Sequence, residues 1–505
     1  MQGSSRPDRE LLDAAALCSH LLGEGSVHAF LAEHRHRLFP DELFADLFPS
    51  GRGRPSVPAD QVATVMVLQA LEGRSDREAC RALQTDIAWK AAAGLAITDE
   101  AFHATVLTLW RNKLRASEDP QRIFNAVRAV IAETRVIAGK HRRVLDSTVL
   151  DDAVQRQDTI TMLATQIRRV RKLIPELAAV WVREHNLEGG RPPCDWDDPA
   201  DIERVISELV QDANELVWAA EDLDLTDAQG DAVALLALVA GQDVEPGDGP
   251  GRWRIAQATA PDRVISTVDP ESRHVHKTRH SYRDGFKAHL AAEPDTGLIT
   301  ATGLTAGNVG DAVAAPDLLT EEASGTEVLG DSAYGSGDLR DHLKERDMAA
   351  VIKPPPLASA VPGGFTIDDF EIDEPAGTVT CPAGVTVKIR RSRSAVFGEN
   401  CKACPLRAKC TKARKGRVVK LHPHHDLLAD ARAQARTVEF RAVYRQHRPM
   451  IERTIAWLVR GPNRKVRYRG TARNQIWLAH RAAAVNLTRL INLGLHHQPS
   501  GWAIN

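Results

Sequence analysis

The chain has 505 residues, of which 43% are hydrophobic and 26% are charged, and this balance is typical of globular proteins with several domains. The longest apolar run, residues 232–240, is too short to cross a bilayer. The N-terminus is polar and acidic, unlike a secretory signal. We therefore expect a cytoplasmic protein.

The net charge of −2 hides a strong division along the chain. Residues 401–505 contain 22 Lys and Arg and four Asp and Glu, a net of +18. The first 400 residues contain 43 Lys and Arg and 63 Asp and Glu, a net of −20. This asymmetry favours a polyanion bound by the C-terminal part, although a basic, solvated helix surface would give the same count.

Residues 10–135 are predicted to be helical, because apolar positions recur at spacings of three and four. One helix begins at Pro58 and ends near Gly73, and Ser75 with Glu78 forms a capping box that opens the next helix. A helix, a glycine turn and a second helix are typical of a DNA-binding helix-turn-helix, and also of many helical bundles.

The pattern changes at residues 144–150, which are predicted to form a strand carrying Asp146. An amphipathic helix follows at residues 158–173, and further helices continue to Gly241. Residues 245–251 are rich in Gly and Pro and are predicted to be a linker or long loop. The region 156–255 is therefore interpreted as a helical insertion.

Strand patterns return at residues 263–269 and in a hairpin formed by residues 286–292 and 298–305. A short helix is predicted at residues 311–319, followed by strands at residues 327–329 and 349–353. Together with the strand at 144–150, these elements predict an α/β core with a mixed sheet.

Asp331 comes directly after the strand at residues 327–329. Most carboxylates in this position cap the following turn or helix. Ser336 is a good N-cap for the next helix, so we expect Asp331 to be available for chemistry at the strand end.

Four of the seven cysteines are clustered, at Cys381, Cys401, Cys404 and Cys410. Four thiolates suit tetrahedral zinc, although their spacing differs from that of a paired zinc ribbon. A redox pair or a metal-free fold is the alternative, and His422, His424 or His425 could replace one ligand.

A helix is predicted at residues 427–458, and it carries Arg448 and Glu452 on one face. Glu452 alone would be interpreted as an exposed ion-pair partner. Its strongly basic surroundings favour a role on DNA instead. The basic loop 461–470 is suited to phosphate contacts and to stacking on a base, and a final helix is predicted at residues 474–493.

Two Asp and one Glu suit phosphodiester cleavage, because two divalent metals activate the nucleophile, stabilise the leaving oxygen and neutralise charge at phosphorus. Mg²⁺ prefers carboxylate oxygens. Asp146, Asp331 and Glu452 would supply such a site for two Mg²⁺ ions, with Mn²⁺ as the alternative ion.

Five strings occur in order along the chain, and together they resemble the DDE-type insertion-sequence transposases. The strings are LDSTVLDDAVQRQDT, DPESRHVHKTR with YRDGFKAHL, GLITATGLTAGNVGD, VLGDSAYGSGDLR and IERTIAWLVRGPNRKVRYRG. The stretch from GRPSV to AAAGL at residues 53–95 resembles the helical N-terminal domain of these proteins. CPAGV and CKACPLRAKC resemble the cysteine-bearing insertion of one subgroup.

This resemblance implies a ribonuclease H-like core in which Asp146, Asp331 and Glu452 form the catalytic, magnesium-binding triad. It also implies double-stranded DNA partners (terminal inverted repeats and target DNA), hydrolysis that frees a 3′ hydroxyl, strand transfer, a homodimer on DNA and a location at the bacterial nucleoid. Some relatives place Tyr and Lys around the Arg and Glu, where this chain has Arg445 and Val459, with Tyr444 and Arg460 adjacent. Asp269 is a further candidate polar site residue, or a turn residue.

The predicted fold class is α/β with an all-helical N-terminal domain, a helical insertion and a small Cys-rich, zinc-ribbon-like insertion. The predicted divisions are 1–135 for DNA end binding, 136–155 with 256–353 for the catalytic core, 156–255 for the helical insertion, 354–425 for the Cys-rich insertion, and 426–505 for the C-terminal helices that complete the core. The predicted DNA-binding residues are Arg448, Arg453, Arg460, Arg464, Lys465, Arg467, Tyr468 and Arg469.

Two other functions fit parts of this pattern: a ribonuclease H-like nuclease without strand transfer, and a DNA-binding regulator descended from a transposase. A regulator has no chemical need for three separated metal-ligand carboxylates, which favours an enzyme.

Overall fold

The fold was obtained as a computed structural model that describes residues 1–5, 12–187, 189–278 and 281–505. Within these ranges, no helix has both the length and the apolar character required to cross a membrane.

The N-terminal region is built mainly from helices, which confirms the prediction from periodicity. They are α1 (Ala14–Cys18), α2 (Val27–Leu38), α3 (Ala59–Glu72), α4 (Asp76–Thr85), α5 (Ile87–Ala93), α6 (Thr105–Ala116) and α7 (Arg122–Thr134). Gly73 ends α3 in the left-handed conformation, with φ at 69°. Ser75 and Glu78 form the predicted capping box at the start of α4.

Strand β1 (Arg142–Asp151) begins the sheet, and a helical segment with its own hydrophobic core follows it. This segment contains α8 (Thr159–Leu173), α9 (Pro199–Ala219), α10 (Asp227–Gln242), β2 (Val244–Pro246) and β3 (Trp253–Ile255). The predicted loop at residues 245–251 is thus largely the tip of the antiparallel β2–β3 hairpin.

The prediction of a strand at residues 263–269 is wrong. Residues 264–267 are buried, but instead of pairing with a strand their backbone groups bond to side chains and to the backbone of Gln157. Val264 N donates to Gln242 Oε1 at 3.0 Å, and Thr267 N donates to Gln157 Oε1 at 2.8 Å. The apolar pattern reflects burial, which an irregular segment satisfies as well as a strand does.

The central elements largely follow the prediction, including the hairpin and the last two strands. They are β4 (Arg273–Thr278), β5 (Ser281–Ala292), β6 (Ile299–Ala306), α11 (Asp311–Leu318), β7 (Glu327–Gly330), α12 (Gly337–Glu345) and β8 (Ala349–Ile352). Strand β4 is an addition to the predicted set.

These strands form one mixed sheet in the order β4-β5-β1-β7-β8, with β6 beside the second half of β5. β1 is antiparallel to β5 and parallel to β7, and β7 is parallel to β8. Val144 lies opposite Leu329. Asp146 and Asp331 each come two residues later, so both are placed at the same level on neighbouring strands.

The cysteine-bearing region has two small sheets and a separate small core around Phe370, Phe397 and Val419. Its elements are β9 (Glu371–Asp373), β10 (Thr378–Thr380), β11 (Thr386–Lys388), β12 (Ser394–Val396), α13 (Arg407–Cys410) and β13 (Val418–Lys420).

The single helix predicted at residues 427–458 is two helices, α14 (His425–Gln434) and α15 (Val438–Leu458). Thr437 separates them because its side chain accepts a bond from Phe440 N and caps α15. The long helix α16 (Thr471–Asn492) follows, and an additional hairpin, β14 (Leu495–Gln498) and β15 (Gly501–Ile504), closes the chain.

The largest core joins the N-terminal helices to the sheet through α16. Arg481 on α16 is buried and donates to the carbonyls of Ala70 and Leu71 at the end of α3. On its other side, Asn486 exchanges two hydrogen bonds with the backbone of Ile299 on β6. Helix α16 therefore fixes α3 relative to the sheet.

Candidate active site at two strand ends

Asp146 and Asp331 lie side by side at the end of β7, where the parallel pairing with β1 stops. The Asp146 side chain is 14% exposed and that of Asp331 is 43% exposed. Asp331 Oδ1 accepts from Ala333 N at 2.9 Å and caps the short turn Ser332–Tyr334. Ser336 caps α12 as predicted, but Asp331 also caps its own turn with one oxygen.

Glu452 reaches the same site from α15. This helix is held against β1 by Arg448, whose Nη1 donates to the carbonyl of Leu145 at 2.6 Å. The Glu452 side chain remains 66% exposed. The three predicted carboxylates, which are far apart in sequence, therefore meet at one place.

Arg448 is the contact that these carboxylates share. Its Nη2 lies 2.9 Å from Asp146 Oδ1 and 3.9 Å from Asp331 Oδ2, and its Nε lies 4.0 Å from Glu452 Oε1. The sequence analysis placed Arg448 on one helix face with Glu452 and counted it among the DNA-binding residues. In the structure its shortest ion pair is with Asp146.

Burial and charge oppose each other here. Burial raises the pKa of Asp146, while the Arg448 guanidinium opposes that rise. Burial also raises the pKa of Tyr334 well above its ordinary range, and the nearby Asp311, Asp146 and Asp331 add to the effect. The buried Tyr334 hydroxyl has no hydrogen-bond partner among the described residues.

A fourth carboxylate, Asp311, supports the site and was not identified as a site residue from the sequence. Its Oδ2 accepts from Ser147 Oγ at 2.9 Å, and its Oδ1 lies 2.8 Å from Lys287 Nζ. Burial lowers the pKa of the neighbouring His289 to about 4. The signal available was the position of Asp311 at the end of the string GLITATGLTAGNVGD.

The donor set of Asp146, Asp331 and Glu452 consists of carboxylate oxygens, which are the ligands that Mg²⁺ prefers. In the part of the chain that the structure describes, no three His, Cys, Asp or Glu lie close enough together to hold an ion. Here the Arg448 guanidinium lies among the carboxylates. The residues thus fit a hard divalent cation in their chemistry, and their oxygens would have to approach one another to bind it.

Two family models match the chain. Residues 27–113 match a transposase domain (DUF772), and residues 380–491 match a transposase DDE domain, which includes Glu452. Both models are of transposase domains, and together they support a DDE-type insertion-sequence transposase. Asp146 and Asp331 lie between the two matched stretches. Searches of curated proteins and of solved structures found no match.

The predicted DNA-binding residues of the transposase differ in their exposure. Arg448 is buried at the carboxylates. Arg467 donates to the carbonyl of Gly73, and the Tyr468 ring lies under the Arg111 guanidinium at 4.9 Å. Arg464 is half-buried, and the exposed cations are Arg453, Arg460, Lys465 and Arg469.

The turn between α3 and α4 contacts this basic loop directly. A Cβ added at Gly73 would lie 2.7 Å from Pro462 Cγ, so only glycine fits both the positive φ and the close approach. The outer face of α4, with Arg77 and Arg81 exposed, is therefore near the loop 461–469. The two segments predicted separately to bind DNA adjoin one another.

The four clustered cysteines of the transposase line one cavity of about 20 Å³, which has room for a single water-sized atom. Burial raises the pKa of Cys410, and Cys401, Cys381 and Cys404 add to the rise. Arg417 N donates to Cys401 Sγ at 3.4 Å. His422 and His424 contact Asp338 instead, at 3.9 and 3.5 Å.

Asp269, the other predicted polar site residue, is buried and contacts the end of the basic loop. Gly470 N lies 3.2 Å from each of its two carboxylate oxygens. Glu271 accepts from Thr471 N at 2.9 Å, at the start of α16. These contacts place Asp269 in a supporting position for the loop.

Proposed function

We propose that this transposase binds the terminal inverted repeats of an insertion sequence and catalyses strand cleavage followed by strand transfer into target DNA. The observation that carries the proposal is the convergence of Asp146, Asp331 and Glu452 around Arg448. The three carboxylates come from β1, from the end of β7 and from α15, so their meeting is a property of the fold.

The carboxylates would hold two Mg²⁺ or Mn²⁺ ions, which when bound supply an activated nucleophile and charge neutralisation at phosphorus. The register of β1 and β7 fixes Asp146 and Asp331 relative to each other before any ion binds. Arg448 opposes the rise that burial causes in the pKa of Asp146, and it thereby favours the ionised form that can act as a ligand. With a divalent cation bound to the carboxylates, the Arg448 guanidinium would be free to contact a phosphate oxygen.

The exposed face of α4 and the loop 461–469 are proposed to bind the DNA ends together, because they adjoin at Gly73 and Pro462. Their cations would contact phosphates, which gives affinity and register on the duplex. The mixed sheet with its flanking helices supports the proposed ribonuclease H-like core and the domain divisions given above. A homodimer on DNA and a location at the bacterial nucleoid are part of the same proposal.

Zinc is proposed as the ligand of Cys381, Cys401, Cys404 and Cys410. The support is that all four thiols face one cavity of about the volume of a single atom, within a region whose own core is small. Zinc binding would contract this cavity, since the sulfur atoms are not at coordination distance in this structure. Zinc would link short turns that have few other contacts.

A strand-transfer assay tests the function and separates it from the two alternatives. Wild-type protein with Mg²⁺ and DNA bearing the element's ends should join those ends to a target, and Asp331→Asn should lose all joining. Asp338→Asn is the matched control, because Asp338 is 78% exposed on α12, seven residues further along the chain. Its joining should equal that of the wild type.

Cleavage without joining by the wild type would indicate a nuclease, and end binding without cleavage would indicate a regulator. Joining that survives Asp331→Asn would remove Asp331 from the proposed triad.

A further inference from the structure

An open groove of about 610 Å³ adjoins the candidate active site, and Arg448 and Glu452 are among the residues that line it. The end of β8 forms one wall with Lys353, and α15 forms the other with Arg441, Tyr444, Arg445 and Arg448. The α15 residues fall at spacings of three and four, so they share one face of the helix. The groove is therefore continuous with the carboxylates.

The groove carries cations that the protein itself does not neutralise. Lys353, Arg441 and Arg445 are exposed, and none of them forms an ion pair with another residue that the structure describes. Elsewhere most arginines near acids are paired, as Arg448 is with Asp146. Three unpaired cations along one groove fit a ligand with several negative charges, such as a nucleic acid strand.

An aromatic ring lies among these cations. Tyr444 is half-buried, and Phe440 supports it with ring centroids 5.9 Å apart and planes 13° from parallel. Lys353 Nζ lies 4.3 Å from the centre of the Tyr444 ring. Because Lys353 is exposed and flexible, it can leave the ring for a phosphate while an unpaired base takes its place on the ring.

We infer that this groove binds single-stranded DNA at the cut end, with a base stacked on Tyr444 and phosphates at Lys353, Arg441 and Arg445. Duplex DNA would not use the ring, because its bases are already stacked on one another. Lys353 lies outside every segment predicted to bind DNA from the sequence. The inference rests on the proposed function, since it assigns the groove to the strand that leads to Glu452.

The test is fluorescence anisotropy of the full-length protein without divalent metal, so that no DNA is cut. Two probes are used: oligothymidine, and a blunt duplex of the element's terminal sequence. Tyr444→Leu should weaken oligothymidine binding about tenfold, and Tyr444→Phe should bind like the wild type. Both should bind the blunt duplex like the wild type.

Lys353→Gln is the second variant, and it should fold normally because Lys353 is exposed. It should weaken oligothymidine binding and reduce the slope of log affinity against log salt by about 0.7. Two controls from other regions should change neither probe: Lys388→Gln on β11, and Trp181→Leu, whose ring is 72% exposed in the helical insertion.

Unchanged oligothymidine binding in Tyr444→Leu and Lys353→Gln would overturn the inference, as would an equal loss of both probes in Lys353→Gln. Wild-type protein that binds the blunt duplex but not oligothymidine would overturn the inference and leave the proposed function standing. Wild-type protein that does not bind the blunt duplex would contradict the proposed end binding itself.

Discussion

The carboxylates at the sheet and the cysteines at residues 381–410 were both predicted to bind metals, and the fold holds them in different ways. Asp146 and Asp331 are placed by the pairing of β1 with β7, over the largest core of the protein. The cysteines lie at the ends of short elements and in loops, over a small core. A charged side chain, Arg448, contacts all three carboxylates, whereas among the thiols Cys401 accepts a hydrogen bond from the backbone of Arg417.

The difference indicates how far the fold orders each site in the absence of metal. The pairing of β1 with β7 positions Asp146 and Asp331 on neighbouring strands, and the positive charge of Arg448 reduces the repulsion between the two carboxylates. Short turns have no comparable constraint, so under the zinc proposal the cysteine region would depend on its metal for order. Removing metal should therefore affect the two regions very differently.

Zinc removal should have the largest effect. If it had none, the proposed difference between the two regions would be wrong. Purified protein should contain about one zinc per chain, and structural zinc contributes about 10 kcal/mol or more to folding. A chelator should unfold residues 365–421, seen as lost protection in hydrogen exchange, while β1 and β7 stay protected. Cys404→Ser should act like the chelator, and Cys194→Ser in the helical insertion should not. Full protection of residues 365–421 in zinc-free protein would refute the proposal.

Breaking the ion pair at the carboxylates should have the next largest effect. Arg448→Gln leaves the largely buried Asp146 without its partner, which should cost about 3–5 kcal/mol of unfolding free energy. Chemical denaturation measures this loss, and Arg445→Gln, one turn earlier and exposed, should be close to wild type in stability. Equal stabilities for the two variants would show that Arg448 does not hold the site together.

Asp311→Asn tests the support beneath Asp146. It removes the partner of Lys287, and both side chains are mostly buried, at 15% and 12% exposed. Lys287 keeps its bond to the carbonyl of Val309, so the expected loss is about 2 kcal/mol. Asp317→Asn on the exposed side of the same helix is the control for denaturation. A loss as small as that of the control would mean that Asp311 is dispensable.

Acid should loosen the main core gradually, by less per pH unit than the loss expected in either of these variants. Burial lowers the pKa of His480 on α16 to about 3, while an unfolded histidine titrates near 6.5. Between these values the unfolded state binds more protons, so stability falls as the pH falls from about 6.5 toward 3. This one group contributes about 1.4 kcal/mol per pH unit.

Denaturation of His480→Gln across this pH range should show a shallower dependence than the wild type, and His20→Gln, which is exposed, should not. The small core around Phe370 contains no buried histidine among its described members. Its stability should therefore depend on bound zinc and not on histidine protonation. An unchanged slope in His480→Gln would contradict the shifted titration.

Local patterns were sufficient for much of the fold. The α3–Gly73–α4 turn, the β5–β6 hairpin and the short strand before Asp331 all follow from residues within a few positions of each other. Propensity, capping and turn chemistry act at that range. These elements were therefore predicted with nearly the observed bounds.

The failures have a common physical origin in long-range contacts. Residues 263–269 have the composition of a strand. However, the backbone N–H groups of Val264 and Thr267 donate to the side chains of Gln242 and Gln157, which are distant in sequence. The break at Thr437 was missed because the helical periodicity continues through it. Strand β4 and the closing β14–β15 hairpin have weak alternation and are stabilised by their neighbours.

For the candidate site, the sequence named the three carboxylates, through basic surroundings and motifs in a family order. The sequence could not show which of the basic residues contacts the carboxylates. Arg448 was one of eight predicted DNA-binding residues, and only the packing of α15 on β1 places its guanidinium among the carboxylates. Asp311 and Lys353 likewise gain their roles from partners far away in the chain.

The sequence by itself indicated the family, named the three candidate carboxylates and predicted most of the helices and strands, because those depend on local order and chemistry. The tertiary structure decided which side chains share a site. Parallel register put Asp146 beside Asp331, α15 brought Arg448 and Glu452 to them, and the end of β8 met Tyr444. Such contacts join residues more than 90 positions apart, where no local pattern can encode the distance.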